Sequence, residues 1–361
     1  MTDMKYHVPS MREIENIPHN GFYVASTFSG GGGSCLGYRM AGYKVLYANE
    51  FVEEAQNTYR LNHKAYLDTR DIRTITADDI LEIIGKKQGE LDLFDGSPPC
   101  CAFSTAGSRE KGWGQERAYS DGKMQRIDDL FYEYVRLVNG IQPKVFVAEN
   151  VSGLVKGVAK GYFKRIIEAL IDCGYNVKAS LVNAKYLGVP QSRERIIFQG
   201  VRKDLKMQPV FPKPSQNVIP LKDALEAVEN DKSEIEERFR EMEKYKIGTI
   251  LKKIPKNPQK VVSGSSVMNG SWFNLIRESM YKPCSTICQM NGNFGISGNC
   301  HPLYDRKFTT AEVKRIMSIP DDFTLTGTIE QKWERLGRMV PPVMMMNISK
   351  VICEEILCKT K

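Results

Sequence analysis

The sequence predicts a doubly wound α/β fold with a mostly parallel sheet, followed by a smaller second module. In the first two hundred residues, short β-branched or aromatic runs alternate with stretches in which apolar residues recur every three or four positions. Such alternation is typical of a parallel sheet whose strands are connected by helices. Residues 211–215 break the pattern with prolines and lysine, and a charged stretch and a Gly- and Asn-rich region follow. We therefore expect a second module after this break.

Each predicted element has its own local signal. Strands are predicted at residues 23–28, 45–49, 91–94, 145–148, 177–181 and 196–200, where β-branched and aromatic residues cluster. Helices are predicted at residues 35–41, 53–62, 130–138 and 162–172, where apolar residues follow the helical period, and in the charged stretch 219–245. Residues 247–300 contain short β-like pieces between turn residues.

Composition limits the class of protein. A chain of 361 residues, 42% hydrophobic and 26% charged, suits one large globular domain and a smaller one. No apolar run approaches the roughly 20 residues that a bilayer span needs, and residues 1–20 lack the apolar segment of a secretory signal. We therefore expect a cytoplasmic protein without membrane association. The formal net charge of +8, from 51 basic and 43 acidic residues, favours a polyanionic partner without identifying it.

The cysteines indicate a reducing compartment. They number nine, and two of them, Cys100 and Cys101, are adjacent, which does not suit a disulfide framework. Cys284, Cys288 and Cys300 have a spacing that matches no familiar zinc site, so no metal is expected.

Cys100 is the strongest candidate for a nucleophile. It follows the predicted strand 91–94, a Gly-Ser turn and two prolines. Pro98 and Pro99 restrict the backbone directly before Cys100. Cysteines are often simple buried hydrophobes, so Cys100 alone is weak support.

Two other polar motifs strengthen the interpretation of Cys100. Glu149 follows the predicted strand 145–148, and residues 191–195, which include Arg193 and Arg195, precede the strand 196–200. Each motif alone is better explained as a surface carboxylate or a charge cluster at a sheet edge. Together they indicate a catalytic site.

A glycine-rich loop follows the first predicted strand. Residues 28–34 contain four consecutive glycines, and Glu50 follows the second strand. Glycines let backbone amides approach a ligand, and an acidic residue about 20 positions later can accept hydrogen bonds from ribose hydroxyls. Cys35 and Leu36 occupy the place of a third glycine, which disfavours a nicotinamide cofactor. Asp71 either accepts a hydrogen bond from an adenine amino group or caps the next helix.

Taken in order, several motifs resemble those of the cytosine-5 DNA methyltransferases. They are residues 28–33, Pro98 to Cys100, Glu149 to Val151, residues 191–195 and residues 306–323. The resemblance spans most of the chain and includes a long variable region before residue 306. It implies a class I S-adenosylmethionine-dependent methyltransferase fold. A catalytic domain would cover residues 1–202, completed by 326–361, and a target-recognition domain would cover 203–325.

The resemblance also implies a reaction. The enzyme would transfer a methyl group from S-adenosylmethionine to carbon 5 of a flipped-out cytosine within a specific duplex DNA sequence. Cys100 would add to ring carbon 6, and Glu149 would hold the ring nitrogen and the exocyclic amine. Arg195 would stabilise the ring oxygen, and Arg193 would support the thiolate and this network.

Cofactor and DNA contacts follow from the same resemblance and from the composition of the loops. The expected S-adenosylmethionine contacts are Phe28, Ser29, Gly30, Gly32, Gly33, Glu50, Phe51, Asp71, Ile72, Pro99, Leu130, Arg338 and Val340. The expected DNA contacts are Ser104, Arg109, Lys111, Trp113 and Thr286. A role for Trp113 as a simple loop anchor remains an alternative.

The chain departs from the family pattern at two places. Cys101 stands where glutamine is usual, and Arg338 and Met339 stand in the Asn-Ser positions of the last motif. We favour an Arg338 side chain directed to solvent. The alternative is an ion pair with a carboxylate-bearing derivative of S-adenosylmethionine.

Double-stranded DNA is the expected partner of a monomeric enzyme, together with a possible cognate restriction endonuclease of the same restriction-modification system. Two other functions remain open. Some relatives of the family use the same residues to methylate cytosine in transfer RNA, and a catalytically silent DNA-binding protein is the other alternative.

Overall fold

A computed structural model of the chain describes residues 6–99, 116–118, 124–126, 129–155, 159–292 and 297–360. The chain divides into two compact units, each assembled from separate stretches of sequence. The sheet unit comprises Ile14–Val182, Glu194–Lys213 and Met344–Lys361. The small unit comprises Met1–Glu13, Asn183–Arg193 and Pro214–Val343. The predicted functional boundaries at residues 202 and 325 stay predictions.

The strands and helices alternate over the first two hundred residues. The strands are β1 (Tyr23–Thr27), β2 (Lys44–Asn49), β3 (Tyr66–Asp68), β4 (Leu93–Gly96), β5 (Glu116–Ala118), β6 (Met124–Arg126), β7 (Val145–Val151), β8 (Tyr175–Asn183), β9 (Gln191–Ser192), β10 (Glu194–Arg202), β11 (Val262–Ser263), β12 (Ile276–Arg277), β13 (Cys284–Ser285) and β14 (Asn299–Cys300). The helices are α1 (Met11–Glu15), α2 (Gly33–Met40), α3 (Glu53–Asn62), α4 (Ala77–Ile84), α5 (Leu130–Ile141), α6 (Ala159–Asp172), α7 (Leu221–Leu225), α8 (Lys232–Lys244), α9 (Lys246–Leu251), α10 (Thr310–Ile316), α11 (Ile329–Arg338) and α12 (Pro342–Glu355).

A seven-stranded sheet organises the sheet unit. Its strand order is β3-β2-β1-β4-β7-β10-β8. β1 pairs in parallel with β2 and β4, β2 with β3, and β4 with β7, whereas β10 runs antiparallel to β7. The predicted doubly wound, mostly parallel sheet is confirmed.

Helix α5 is fastened to this sheet by packing and by hydrogen bonds. Its Tyr134 is fully buried, and the phenol donates to the carbonyls of Phe94 at 3.1 Å and Val147 at 3.0 Å. The Tyr134 ring also lies where a side chain on Gly96 would be, since a Cβ at that position would stand 2.5 Å from the ring. Glycine at the end of β4 is therefore required by the packing of α5.

The small unit contains a buried cluster of ion pairs. The Lys307 Nζ lies 2.8 Å from Glu241 Oε1, and Arg238 Nη1 lies 3.2 Å from Glu241 Oε2. All three side chains are fully buried. Burial lowers the pKa of the Lys307 ammonium, and the Glu241 carboxylate opposes that shift. Charged side chains that are buried away from water need partners of opposite charge to be stable.

The predicted elements are confirmed with changes at their ends, and two differences have local causes. The charged stretch 219–245 forms α7 and α8 instead of one helix, because Ala227 adopts a positive φ and Asp231 caps α8. Helix α4 is not among the predicted elements. Its signal was a capping box in which Thr76 accepts a hydrogen bond from the Asp79 amide and the Asp79 carboxylate accepts one from Thr76.

Over the parts of the chain that the structure describes, no helix is both long and apolar enough to span a membrane.

Replacement of Lys307 by methionine should destabilise the small unit. The substitution removes one partner of a fully buried ion pair, which we expect to cost about 3 kcal/mol of unfolding free energy. Urea denaturation followed by tryptophan fluorescence measures this cost, since Trp272 and Trp333 both lie in the small unit. Lys260→Met, at an exposed lysine, is the matched control. Equal stability of the two variants would contradict the importance of the buried pair.

Candidate active site

The last residues of four strands lie in one row with Ala148 of β7, three residues before the end of that strand, at the same edge of the sheet. Thr27 of β1 pairs with Asn49 of β2 and with Gly96 of β4. Asn49 pairs with Asp68 of β3, and Gly96 pairs with Ala148 of β7. The chain moves outward from β1 through β2 to β3 and then returns to β4 on the other side of β1. In open α/β sheets, ligands bind at the carboxyl ends of strands where the order reverses in this way.

The loop after β1 bonds directly to Glu50. The Gly30 amide donates to Glu50 Oε2 at 2.7 Å, and the Val52 amide donates to Oε1 at 2.7 Å. Both oxygens of this buried carboxylate are thereby oriented. Phe28, with a positive φ of 53°, packs against the core beside this loop, and Phe51 is half-buried.

Two glycines give the loop its shape. Gly32 has a φ of +92°, and a Cβ there would stand 2.1 Å from His63 Nε2, so a side chain is excluded. Gly30 also has a positive φ, but a Cβ there would meet nothing within 4 Å. Helix α2 begins at the buried residue Gly33. Open space at Gly30 beside an oriented carboxylate at Glu50 fits the ribose of a nucleoside cofactor.

Asp71 and Ile72 lie just after β3. The Arg73 amide donates to Asp71 Oδ1 at 3.0 Å, so Asp71 caps the short 3₁₀ helix Ile72–Thr74, as one of the two sequence interpretations predicted. Ile72 is buried, and Leu130 at the start of α5 is fully buried in the same core. An acidic and an apolar group beyond β3 also fit an adenine ring, so the residues after β1, β2 and β3 together suit an adenosine group.

Asn150 fixes the chain just before the predicted nucleophile. Its Nδ2 donates to the Pro98 carbonyl at 3.0 Å, and its Oδ1 accepts from the Val151 amide at 2.8 Å. Asn150 is buried, and Pro99 is half-buried. Asn150 has no predicted role, although it belongs to the Glu-Asn-Val motif. Its contacts hold the carbonyl of Pro98, which precedes Cys100 by two residues in the sequence.

Glu149 and Arg195 form a close ion pair. Arg195 Nε lies 2.6 Å from Glu149 Oε1, and both side chains are largely buried. The antiparallel register of β7 and β10 places Ile197 opposite Glu149, so Arg195 lies two residues along the neighbouring strand on the same face. The structure therefore brings together two of the four predicted catalytic residues.

Arg193 lies in the small unit and has a different set of contacts. Its Nη1 donates to the Ile287 carbonyl at 3.0 Å, and its Nη2 donates to the Gly337 carbonyl at 2.7 Å. Thr286, a predicted DNA contact, donates from its hydroxyl to the Ser192 carbonyl at 2.7 Å. These bonds tie three separate segments of the small unit together. The predicted support of the thiolate by Arg193 stays a prediction.

Arg338 and Val340 follow at the end of α11. Arg338 Nε donates to Gln289 Oε1 at 2.6 Å, and its Nη2 lies 2.8 Å from Glu334 Oε1. The side chain is 41% exposed, so the guanidinium is partly solvated and already paired with a carboxylate. Val340 is buried. The predicted cofactor contacts of these two residues stay predictions.

Several predicted residues lie outside the part of the chain that the structure describes. They are Cys100, Cys101, Ser104, Arg109, Lys111 and Trp113. Their assigned roles stay predictions.

A buried polar network that no sequence pattern predicted lies under the glycine-rich loop. Ser26 donates to Asp95 Oδ2 at 2.8 Å, Tyr38 donates to Oδ1 at 3.0 Å, and Ser29 donates to Ser26 at 3.1 Å. Burial raises the pKa of Asp95 to about 7, while the bonds from Ser26 and Tyr38 oppose the rise. The available signal was an acidic residue inside an apolar strand. The network joins β1 and its loop to β4, which leads to the predicted nucleophile.

The comparisons with known sequences cover nearly the whole chain. A family model described as C-5 cytosine-specific DNA methylase matches residues 22–354. The Type II methyltransferase M.FnuDI of Fusobacterium nucleatum is 32% identical over 357 residues, which cover 94% of this chain and 96% of the relative. The Type II methyltransferase M.MthTI of Methanothermobacter thermautotrophicus is 29% identical over 349 residues, which cover 92% and 97%.

Solved structures show the same fold. A putative DNA modification methyltransferase encoded within an E. coli prophage has a TM-score of 0.70 at 21% identity, covering 93% of this chain and all of that one (100%). DNMT2 of Spodoptera frugiperda has a TM-score of 0.65 at 17% identity, with 92% and 100% coverage.

Asp95→Asn should change the pH dependence of stability. The folded protein retains a proton on Asp95 up to about pH 7, whereas the unfolded chain releases it near pH 4. The stability linked to this proton is therefore present at low pH and is lost as the pH rises through 7. Between pH 5 and 8, the wild type should lose about 2–3 kcal/mol of unfolding free energy relative to the variant.

Urea denaturation followed by circular dichroism at several pH values measures the difference for Asp95. The control is Asp172→Asn, at an exposed carboxylate of α6. Parallel pH profiles for wild type and Asp95→Asn would refute the assignment of a proton to Asp95.

Proposed function

The chain belongs to the C-5 cytosine-specific DNA methylase family, and from this premise we propose the roles of its own residues in that reaction. The family reaction transfers a methyl group from S-adenosylmethionine to carbon 5 of cytosine in DNA. The observation that carries the proposal is the Glu149–Arg195 pair, which lies at the end of β7 beside the strand leading to Cys100.

The cofactor is assigned to the loop after β1 and to the ends of β2 and β3. Glu50 would accept hydrogen bonds from the ribose hydroxyls, and Asp71 would accept one from the adenine amino group. Phe28, Phe51 and Ile72 would contact the apolar faces of the adenosine group. S-adenosylmethionine supplies an electrophilic methyl group when it is bound. The open space at Gly30 and the oriented Glu50 carboxylate support this assignment.

Cys100 is the proposed nucleophile. Carbon 5 of cytosine is a poor nucleophile until a thiolate adds to carbon 6 of the ring, which raises the electron density at carbon 5. The Pro98–Pro99 segment restricts the backbone before Cys100, and the Asn150 side chain holds the Pro98 carbonyl. Less reorganisation is then needed at the moment of attack.

Glu149 and Arg195 would hold the target base while the thiolate adds. Glu149 takes up a proton from solvent when the base binds, donates it in a hydrogen bond to the ring nitrogen and accepts a hydrogen bond from the exocyclic amine. The proton moves to the ring nitrogen as negative charge grows on the ring. Arg195 stabilises the ring oxygen and, through its 2.6 Å contact with Oε1, fixes the Glu149 carboxylate in one orientation. Arg193 would support the thiolate and this network.

The DNA contacts are assigned to two regions. A cytosine inside a duplex must leave the base stack, which costs a few kcal/mol. Basic residues after Cys100, including Arg109 and Lys111, would bind phosphates and offset part of this cost. Residues 203–325 would supply target recognition, with Thr286 among the contacts.

The curated relatives M.MthTI and M.FnuDI are named Type II methyltransferases. By analogy, a cognate restriction endonuclease would accompany this monomeric, DNA-associated cytoplasmic enzyme.

Methyl transfer should occur on duplex DNA and depend on Glu149. With labelled S-adenosylmethionine and long duplex DNA, the wild type should produce 5-methylcytosine, whereas Glu149→Gln should lose roughly 100-fold in kcat because the proton donor is gone. Mass spectrometry of the digested nucleosides measures both. Glu194→Gln is the matched control, since Glu194 is exposed and adjacent to Arg195.

Transfer RNA is the competing substrate in the same assay. Methylation of transfer RNA in preference to DNA would favour the RNA alternative, and no transfer to either would favour a silent DNA-binding protein. Full activity of Glu149→Gln would contradict the proposed mechanism.

A further inference from the structure

Asp95 and Glu149 lie on the same face of the sheet. The parallel register of β4 and β7 places Asp95 beside Val147, and Glu149 follows Val147 by two residues. Because side chains alternate along a strand, Asp95, Val147 and Glu149 share one face. Strand spacing and residue rise put the Cα atoms of the two acidic residues about 8 Å apart. Both residues are buried, so their carboxyl groups interact with little screening by water.

The titratable groups on the helices around Asp95 are uncharged at neutral pH. Those that interact with it electrostatically are Cys35 and Tyr38 of α2, Tyr59 of α3 and Tyr134 of α5. Burial raises the pKa of each of them, that of Cys35 to about 11. Burial is also the main cause of the raised pKa of Asp95, and the charge of Glu149 raises it further. Glu149 is therefore the charged group to which Asp95 responds.

We propose that Asp95 is a positioning residue for the proton of Glu149, because its negative charge keeps that proton on Glu149 while the target base is attacked. The inference rests on the proton donation that the proposed function assigns to Glu149. Before the base binds, Arg195 pairs with the Glu149 carboxylate, and Asp95 holds a proton. When the base binds, Glu149 takes up a proton, the repulsion ends, and Asp95 releases its own proton near neutral pH. One proton is gained at Glu149 and one is lost at Asp95, so the total charge of the two groups is unchanged.

The ionised Asp95 then opposes loss of the Glu149 proton to solvent. Two unit charges at this separation displace each other's titration by about one pH unit at an effective dielectric constant of about 20. The two carboxyl groups therefore titrate as a coupled pair. A neutral residue at position 95 removes this repulsion, so Glu149 would lose its proton to solvent at a lower pH.

The pH dependence of methyl transfer tests the inference. Single-turnover rate constants are measured from pH 5.5 to 9 with saturating S-adenosylmethionine and long duplex DNA. Wild type and Asp95→Asn should agree at the acidic end, where Asp95 is protonated. The alkaline decline of Asp95→Asn should begin about one pH unit lower, which makes this variant about tenfold slower at pH 9. Asp78→Asn, at an exposed carboxylate of α4, is the matched control and should follow the wild type.

A second variant keeps the acid at position 95. Tyr38→Phe removes a hydrogen-bond donor to the ionised Asp95, so Asp95 should retain its proton to a higher pH. The alkaline decline of Tyr38→Phe should therefore move in the same direction as that of Asp95→Asn, by a smaller amount.

The coupling is reciprocal and can be measured without DNA. Infrared difference spectra of the wild type against Asp95→Asn give the pH at which the protonated carboxyl band of Asp95 disappears. Glu149→Gln removes the neighbouring charge. Measured against the Glu149→Gln/Asp95→Asn double variant, the band in Glu149→Gln should disappear about one pH unit lower.

The outcomes separate the inference from the proposed function. The same alkaline decline in wild type and Asp95→Asn overturns the inference and leaves the proposed function intact. A rate loss by the same factor at every pH indicates a purely structural role and also overturns it, as does an unchanged infrared band in Glu149→Gln. A wild type that transfers no methyl group to cytosine contradicts the proposed function, and the inference fails with it. An earlier alkaline decline in Asp95→Asn, together with a displaced band in Glu149→Gln, supports it.

Discussion

The common register of β1, β2, β3, β4 and β7 is the constraint on which the site depends. Parallel pairing places Thr27, Asn49, Asp68, Gly96 and Ala148 in one row. The residues that follow the first four leave the sheet at this edge, and β7 continues from Ala148 to Val151, which places Glu149 there. Slippage of a strand by one residue would reverse the faces of its side chains and break this alignment. The contact of Tyr134 with Gly96, which admits no side chain, makes such slippage of β4 costly.

The carboxyl groups at this sheet edge are held by ion pairs, by backbone hydrogen bonds or by burial. Glu149 is paired with Arg195, Asp71 with Arg73, and Glu50 accepts two backbone amides. These three carboxyl groups are therefore held in one orientation, so that ligand binding needs little reorganisation of them. Asp95 differs from them, because it lies under the loop and burial raises its pKa to about 7. This sheet edge thus has three carboxyl groups that ion pairs or backbone amides orient, and a fourth, Asp95, that is buried in the core beneath the loop.

Much of the fold and part of the site could be predicted from the sequence, because they depend on local patterns. Apolar alternation predicted the strands of the sheet, and strand ends predicted the neighbourhood of Glu149 and Arg195. The bond from Asn150 to Pro98 could not be predicted, because Asn150 lies on β7 and Pro98 follows β4, and their distance depends on the register of these two strands. The carbonyl partners of Arg193, at Ile287 and Gly337, are equally remote in sequence. The same holds for Asp129 and Arg73, which only the packing of α5 brings together.

The central claim is that this sheet edge presents Cys100 to a cytosine for covalent attack. The direct test uses long duplex DNA in which 5-fluorocytosine replaces cytosine, so that every target sequence is present. Fluorine on carbon 5 cannot leave as a proton does, so the sulfur adduct persists after methyl transfer. In the presence of S-adenosylmethionine, we expect a denaturant-stable complex whose adduct maps to Cys100 by peptide mass spectrometry. The claim is contradicted if a protein that methylates unmodified DNA forms no such complex, or forms it at another residue.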